Sequence, residues 1–362
     1  GKRMPNLMFL RILPFIGALI CMLLAIVFAA MVGKKNRGTP RMVEISNAIF
    51  VGSRAYLNQQ ARIMAIFFIV LEILFGIMVI FGYLQWPSLP AFATGMGFSL
   101  LIGYIGMWIS TTSNSRVTYA AQKKGLGEAM NIAFTAAAAS GLLLGTVALF
   151  DTAFWFNILY WFYNRSIPDP ALAMENVVNI LITFTIGASF AAFFMRTGGG
   201  IFTKAADMGA DYVGKVESGL AEDDYRNPAT IADNVGDVGG MKADSLESWV
   251  GAIIATEFLG FLAFKGSQLM VNSIILPMII STAGAIASIL AIFIIKLIVS
   301  RYRENATVSK LTATTLAGLL ITVLAIVILS YFTVRYILGP DYNFLFWSSL
   351  GGVLAGFLIG LF

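Results

Sequence analysis

Long apolar blocks divide this sequence, and they constrain the fold more than any other feature. A stretch of about 18 or more apolar residues is long enough to cross a bilayer as a helix. Only 12% of the 362 residues are charged, whereas about one quarter are charged in soluble domains. The sequence therefore predicts an all-α, multi-pass transmembrane helical bundle, a single membrane domain over residues 1–362. We count nine spans, with approximate boundaries Ile12–Met31, Ile63–Leu84, Ala91–Thr111, Met130–Phe150, Val177–Met195, Ala243–Phe264, Met270–Val299, Thr312–Leu338 and Asn343–Phe362.

Lysine and arginine are unequally divided between alternate loops. The loops after spans 1, 3, 5 and 7, with their flanks, carry 18 of the 24 basic residues, and the remaining segments carry 6. Because cytoplasmic loops are enriched in Lys and Arg, we predict that the N-terminus lies outside and that these four loops are cytoplasmic. The longest polar loops are expected at Gly33–Arg62 and Arg196–Lys242. The net charge of +5 follows from this orientation, so the expected partner is the lipid bilayer and not nucleic acid.

Two residue types that carry much enzyme chemistry are scarce. The chain has no histidine and one cysteine, Cys21. An intrachain disulfide, zinc held by histidine and a histidine-based catalytic triad are therefore excluded.

The charged residues concentrate in one segment, Arg196–Glu247. It holds ten of the 19 acidic residues of the chain, with five cations among them. A mixed-charge loop is usually a solvated surface, but the last acidic residues, Asp244 and Glu247, enter an apolar helix. An ionisable residue inside a span is a functional candidate. We predict that 196–247 is a cytoplasmic substrate and metal segment leading into span 6.

The first half of this segment places charges on one helix face. At about 100° per residue, Lys204, Asp207, Asp211 and Lys215 fall within about 80° of each other. The face therefore reads cation, carboxylate, carboxylate, cation. Three glycines, 198–200, precede it and predict close backbone approach and a sharp entry from span 5.

The second half carries a stripe of carboxylates. Asp233, Asp237, Asp244 and Glu247 lie within about 80° on a helix, and Lys242 falls on the opposite side. Stacked carboxylates repel each other unless cations bridge them, and oxygen ligands without His or Cys indicate Mg²⁺ or Ca²⁺. With lysines suited to phosphate oxygens, the pattern predicts a diphosphate or polyphosphate site. A water held between metals and aspartates would be the nucleophile.

Two other functions fit part of this pattern. A membrane prenyltransferase also binds Mg²⁺-diphosphate through aspartates, but the loops after spans 3 and 7 contain no aspartate. A non-enzymatic cation channel or carrier would use Asp244, Glu247 and Glu257, but it leaves the face from Lys204 to Lys215 unexplained.

Several motifs resemble one known family, the membrane-integral, ion-pumping inorganic pyrophosphatases. The similarity is carried by GGGIFTKAADMGADYVGKVE, AEDDYRNPATIADNVGD and ADSLES, and it extends through GSRAYLNQQ (Gly52–Gln60), GYIGMW (Gly103–Trp108) and GLGEAMNIAF (Gly125–Phe134). It covers nearly the whole chain as the N-terminal half of a protein of about sixteen spans.

The resemblance implies an ion-translocating diphosphatase that hydrolyses cytoplasmic pyrophosphate with Mg²⁺ and pumps H⁺ or Na⁺. It implies a homodimer when complete, in a prokaryotic cell membrane or an acidic-organelle or vacuolar membrane. The pumped ion and a requirement for K⁺ stay open, although Glu247 favours Na⁺. The implied roles are as follows: Lys204, Asp207, Asp211, Lys215 and Glu217 bind the substrate; Asp207, Asp211, Asp233 and Asp237 hold the metal; Asp233 and Asp237 are catalytic; Arg196, Asp244 and Glu247 form the ion gate.

The chain also departs from the family pattern. The usual DNVGDNVGD is shortened to DNVGD, so Asp237 can match the second or the third aspartate of the motif. Tyr225 stands where proline is usual and Lys242 where a small residue is usual. The ninth span ends at Phe362 without a polar tail, and the family's C-terminal half adds aspartates and lysines to the same site. We therefore expect a fragment or a natural truncation that is inactive by itself.

Overall fold

The computed structural model describes residues 6–221, 227, 229–301 and 306–359, with only the backbone of 229–236. Over these ranges there is no β-strand, and nine helices are long and apolar enough to cross a membrane. The predicted all-α, multi-pass fold is confirmed. The helices are α1 Leu7–Gly33, α2 Pro40–Ile80, α3 Ser88–Lys124, α4 Leu126–Ser166, α5 Pro170–Asp211, α6 Ala229–Phe264, α7 Met270–Arg301, α8 Val308–Ile337 and α9 Asn343–Ile359. A π-helical turn, Tyr212–Glu217, follows α5, and a 3₁₀ turn, Pro340–Tyr342, precedes α9.

The helices extend well beyond the apolar blocks, so the predicted polar loops at Gly33–Arg62 and Arg196–Lys242 are mostly helical, and that prediction was wrong. Helix α2 already begins at Pro40, where the Thr39 hydroxyl accepts a hydrogen bond from the Met42 amide at 3.3 Å. A capping threonine followed by proline is a strong helix start. Polar residues continue a helix without penalty outside the lipid, so apolarity alone underestimates helix length.

The chain divides into two compact units. Unit 1 comprises Gly1–Leu23, Gly145–Ile182 and Val250–Phe362. Unit 2 comprises Leu24–Leu144 and Thr183–Trp249. The whole charged segment 196–247 therefore belongs to unit 2.

Unit 2 is built on close contacts between helix backbones. A Cβ atom at Gly95 of α3 would overlap the Phe184 carbonyl oxygen of α5, and one at Gly187 of α5 would overlap the Phe92 carbonyl oxygen. Further along α3, a Cβ at Gly103 would lie 2.9 Å from a carbonyl oxygen of α6. Small residues allow such approach between helices in lipid. Helix α3 thus holds α5 and α6 in place at the site described below.

Unit 1 contains the remaining spans. Helices α7 and α8 pack side by side, and α9 packs against α8. The α6–α7 hairpin is tight, because a Cβ at Gly260 would lie 2.7 Å from the Ser273 carbonyl oxygen. At the end of α6, Lys265 forms an ion pair with Glu175 at 2.7 Å. The carboxyl groups of Asp151 and Glu257 are buried and make no hydrogen bond to a described residue.

Candidate functional site

The end of α5 and the π-helical turn that follows it carry two lysine–aspartate ion pairs. Lys204 Nζ lies 2.5 Å from Asp207 Oδ2, and Lys215 Nζ lies 3.2 Å from Asp211 Oδ2. Both carboxylates are partly buried, and both lysines are exposed. The four residues of the predicted face, in the order cation, carboxylate, carboxylate, cation, thus form two ion pairs. Helix α5 runs through glycines 198–200 without a break, so the predicted sharp entry was wrong.

A π-helical turn ends this segment and carries Lys215 and the exposed Glu217. The wider turn leaves backbone groups for other partners, and such turns are frequent at functional sites. Here the buried Asn227 side chain donates a hydrogen bond to the Ala210 carbonyl oxygen at 2.7 Å. A Cβ at Gly214 would lie 2.7 Å from the same amide nitrogen. Glycine at 214 thus allows Asn227 to tie the connection before α6 back onto α5.

Helices α5 and α6 run antiparallel in a fixed register within unit 2. Gly240 packs on the backbone of Met195 and Arg196, because a Cβ there would lie 2.8 Å from the Met195 carbonyl oxygen. Ser189 meets Glu247 seven residues further along α6. Three residues before Gly240 in α6, Asp237 lies level with Gly199 of α5. Because Gly199 is eight residues before Asp207, Asp237 is about 12 Å from Asp207 along the helix axis.

The predicted carboxylate stripe lies on one unbroken helix. Because α6 is continuous from Ala229 to Phe264, Asp237, Asp244 and Glu247 keep the helical spacing on which the stripe was predicted. Asp237 is exposed, and the other two are partly buried. The Asp233 side chain lies outside the described residues. The stripe therefore leads from the exposed Asp237 into the span.

Lys242, a departure from the family pattern, points away from this stripe as predicted. Its side chain packs over Gly106 of α3, where a Cβ would lie 2.6 Å from the Lys242 Cγ atom. Lysine can bury its aliphatic stem in this way. The absence of a side chain at 106 explains how the span accommodates a lysine.

The three residues predicted for the ion gate are close in the helix register but are not paired. Ser189 donates a hydrogen bond to Glu247 Oε1 at 2.7 Å. No hydrogen bond or ion pair joins Arg196 to Asp244 or Glu247, all three of which lie in the described part of the chain. The structure thus adds Ser189 as the partner of Glu247 and leaves the gate as a prediction.

Helix α2 contributes two residues that the sequence did not single out. The Tyr56 hydroxyl donates to the Met195 carbonyl oxygen at 3.0 Å, and Gln60 Nε2 donates to the Phe194 carbonyl oxygen at 2.7 Å. The Tyr56 ring stacks on Phe202, with centroids 4.9 Å apart. Both residues belong to the motif Gly52–Gln60, which was the only signal for them.

Residues 19–362 match the family described as inorganic H⁺ pyrophosphatase. The chain belongs to this family. The resemblance carried by the motifs is therefore confirmed, as is the prediction of an integral, multi-pass membrane protein. The assignment favours the pyrophosphatase hypothesis over the prenyltransferase and channel alternatives.

Relatives within the pyrophosphatase family include both sodium and proton pumps by name. The chain is 38% identical over 357 residues to a putative K⁺-stimulated pyrophosphate-energized sodium pump of Bacteroides thetaiotaomicron, covering 95% of this chain and 47% of the relative. It is 35% identical over 354 residues to K⁺-insensitive pyrophosphate-energized proton pump 2 of Moorella thermoacetica, covering 95% and 48%. A third relative, a K⁺-insensitive proton pump of Methanosarcina mazei, is 36% identical over 347 residues, covering 88% and 48%. The chain spans about half the length of these curated relatives.

The donor chemistry of the candidate site suits Mg²⁺. The candidate ligands are all carboxylates, which Mg²⁺ prefers. Among the described side chains, however, no group of three acidic residues converges on one point. Asp207 and Asp211 are paired with lysines, and Asp233 lies outside the described side chains. The predicted set of four ligands stays a prediction.

Replacing Tyr56 with phenylalanine is expected to lower the free energy of unfolding by about 1 kcal/mol, the usual contribution of one hydrogen bond. The variant keeps the ring that stacks on Phe202 and loses only the hydroxyl bonded to Met195. The thermal midpoint of the purified chain in detergent measures the effect. Tyr104→Phe is the matched control, because its hydroxyl makes no hydrogen bond to a described residue. An equal shift in both variants would contradict the role of the Tyr56 hydroxyl.

Proposed function

We propose that the protein to which this chain belongs hydrolyses inorganic pyrophosphate to phosphate and couples the reaction to pumping of H⁺ or Na⁺. The observation that carries the proposal is the face from Lys204 to Lys215, where two carboxylates lie between two lysines at the end of a span. A solvated surface does not require this order of charges. A metal–diphosphate complex needs both charges, because its metal binds carboxylates and its phosphate oxygens bind ammonium groups.

Substrate binding would replace the two existing lysine–aspartate ion pairs with contacts to the metal–diphosphate complex. Exposed ion pairs contribute only about 0–1 kcal/mol, so Lys204 and Lys215 can leave their aspartates at little cost. Each lysine would then donate to phosphate oxygens, and Asp207 and Asp211 would hold the metal. Glu217, exposed in the π-helical turn, supports the site beside Lys215.

Mg²⁺ ions would be held by Asp207 and Asp211 on α5 and by Asp233 and Asp237 on α6. When bound, they neutralise phosphate charge and make nearby water more acidic. Asp233 and Asp237 orient the attacking water. The water oxygen bonds to one phosphorus, the bridging P–O bond breaks, and the water proton passes to a carboxylate oxygen. The exposed Asp237 carboxylate has no ion-pair partner among the described residues, so it is available for this task.

The pumped ion takes the lower part of the stripe. Asp244 and Glu247 lie inside span 6, on the same side of α6 as the catalytic aspartates, and Arg196 lies on α5 at the level of Gly240. A cation accepted by Glu247 would compete with the Ser189 hydroxyl, which now donates to that carboxylate. Arg196, Asp244 and Glu247 thus form the gate in this proposal.

The remaining elements of the proposal concern the membrane and the assembly. The excess of Lys and Arg in alternate loops supports a cytoplasmic site and an N-terminus outside. The protein would work as a homodimer in a prokaryotic cell membrane or an acidic-organelle membrane. The names of the relatives include both K⁺-stimulated and K⁺-insensitive pumps, so K⁺ is a candidate second cofactor.

Phosphate release and ion uptake by inverted membrane vesicles test this proposal. The protein is expressed from the whole open reading frame that contains this chain. We expect phosphate release from pyrophosphate only with Mg²⁺, accompanied by acidification of the vesicle lumen or by uptake of ²²Na⁺. Addition of K⁺ measures its stimulation in the same assay.

Two controls make the vesicle experiment decisive. An ionophore for the pumped ion should abolish the gradient without stopping phosphate release. Vesicles without the protein give the background. Phosphate release that is independent of Mg²⁺, or no release at all from the intact protein, would refute the proposed function.

A further inference from the structure

A cavity of about 330 Å³ lies in unit 2 between the end of α1, the first turns of α2 and the later part of α3. Its apolar lining includes Val32, Phe50 and Trp108, and its polar lining includes Arg37, Asn47 and Arg116. None of these residues belongs to the face on α5 or to the carboxylate stripe on α6. The pyrophosphatase mechanism therefore leaves this cavity without a role.

The cavity carries positive charge that no acidic side chain offsets. Arg37 donates to the Asn47 side-chain oxygen at 2.7 Å. Arg116 donates to three backbone carbonyl oxygens, those of Gly33, Lys35 and Thr112. Neither guanidinium forms an ion pair with a described residue. The described lining contains no Asp or Glu.

A neighbouring hollow makes the same end of the unit more basic. It is lined by Arg116, Lys123 and Lys124 together with Lys35. The acidic residue there, Glu128, is already paired with Lys35 at 2.9 Å. The charge of the two cavity arginines is thus reinforced and not cancelled by its surroundings.

The cavity lies where two spans leave the apolar region. The sequence predicts that span 1 ends near Met31 and span 3 near Thr111, and cavity residues occur on both sides of each limit. Trp108 is 47% exposed, and tryptophan is enriched at the level of lipid headgroups. Exposed Ile26, Val27 and Met31 continue the apolar surface along α1. One side of the cavity therefore suits hydrocarbon, and the other suits an anion.

We propose that this cavity binds the headgroup of an anionic phospholipid, with the phosphate against Arg37 and Arg116 and the upper acyl chain against Val32, Phe50 and Trp108. Arginine is suited to phosphate recognition because its fork of donors matches the phosphate oxygens. Basic pockets at the ends of spans bind anionic headgroups for the same reason. A small soluble anion would leave the apolar half of the lining unused, so the occupant is a lipid.

Competition between two lipids tests the site directly. The purified chain is incubated with equal amounts of phosphatidylglycerol and phosphatidylcholine that carry identical acyl chains, and retained lipids are counted by native mass spectrometry. We expect preferential retention of one phosphatidylglycerol. In Arg37→Gln, which removes an exposed charge of the lining, this preference should fall by about fivefold, the effect of one basic residue near an anionic membrane surface. Asn47→Asp adds a negative charge beside Arg37 and should have the same effect.

Arg41→Gln is the matched control. Arg41 is also exposed and lies four residues from Arg37, but it is paired with Glu44 at 2.9 Å and does not line the cavity. The preference of the Arg41→Gln variant for phosphatidylglycerol should equal that of the unchanged protein. Equal retention of both lipids would overturn the proposal, and so would an equal loss in Arg41→Gln, which would indicate diffuse surface charge. Displacement of phosphatidylglycerol by inorganic phosphate would also overturn it, because it would indicate a site for soluble anions.

Discussion

Asp207→Asn is expected to reduce Mg²⁺-dependent hydrolysis of pyrophosphate by the intact protein by about 100- to 1,000-fold. This is the usual loss when one group that stabilises a reacting centre electrostatically is removed. Asparagine keeps the size of the side chain and one oxygen, but it lacks the negative charge needed for a metal–diphosphate complex. The ion pair lost with Lys204 is exposed on the lysine side, so its loss costs at most about 1 kcal/mol of stability. The variant should therefore fold but hydrolyse pyrophosphate at this much lower rate.

Glu44→Gln is the control for this prediction. It removes a second ion pair with i,i+3 spacing in the same unit, that of Arg41 with Glu44 at 2.9 Å, and it lies outside the proposed site. Phosphate release in vesicles and the thermal midpoint of the purified protein are measured for both variants. If Asp207→Asn retained activity comparable to that of Glu44→Gln, the substrate role of the α5 face would be wrong.

Gly95→Ala is expected to destabilise unit 2 by about 3 kcal/mol, at the upper end of the range for overpacking. The added Cβ would overlap the Phe184 carbonyl oxygen and lie 3.1 Å from the Ala188 backbone nitrogen. Backbone atoms cannot rotate away as a side chain can, so α3 and α5 must separate. Thermal unfolding and the fraction of protein that is monodisperse after size-exclusion chromatography measure the effect.

Gly97→Ala lies two residues further along the same helix and provides the comparison. A Cβ at Gly97 meets no atom within 4 Å. Because alanine favours the helix by about 1 kcal/mol over glycine, this variant should be as stable as the unchanged protein or slightly more stable. A similar thermal midpoint for the two alanine variants would show that α3 and α5 are not in backbone contact at Gly95.

The candidate site was predictable where it depends on position along a single helix. Side chains three and four residues apart share a face, so the pairing of Lys204 with Asp207 and of Lys215 with Asp211 followed from spacing alone. The hydrogen bond from Tyr56 to Met195 could not be predicted from spacing, because the two residues are 139 residues apart in the sequence. The same applies to Ser189 and Glu247, which are 58 residues apart.

The sequence by itself determined the all-helical fold, the nine spans found in the described part of the chain, the faces of the charged helices and the family. These properties depend on local pattern, because a chain in lipid must satisfy its backbone hydrogen bonds within each helix. Only the tertiary structure decided which helices touch, how α5 and α6 are aligned, and where the chain divides into two units. It alone revealed the cavity beside Arg37 and Arg116. Contacts of this kind require backbones that are distant in sequence to approach within a few ångströms. Glycines at positions such as 95 and 240 permit that approach, but a glycine in the sequence does not identify the helix that it contacts.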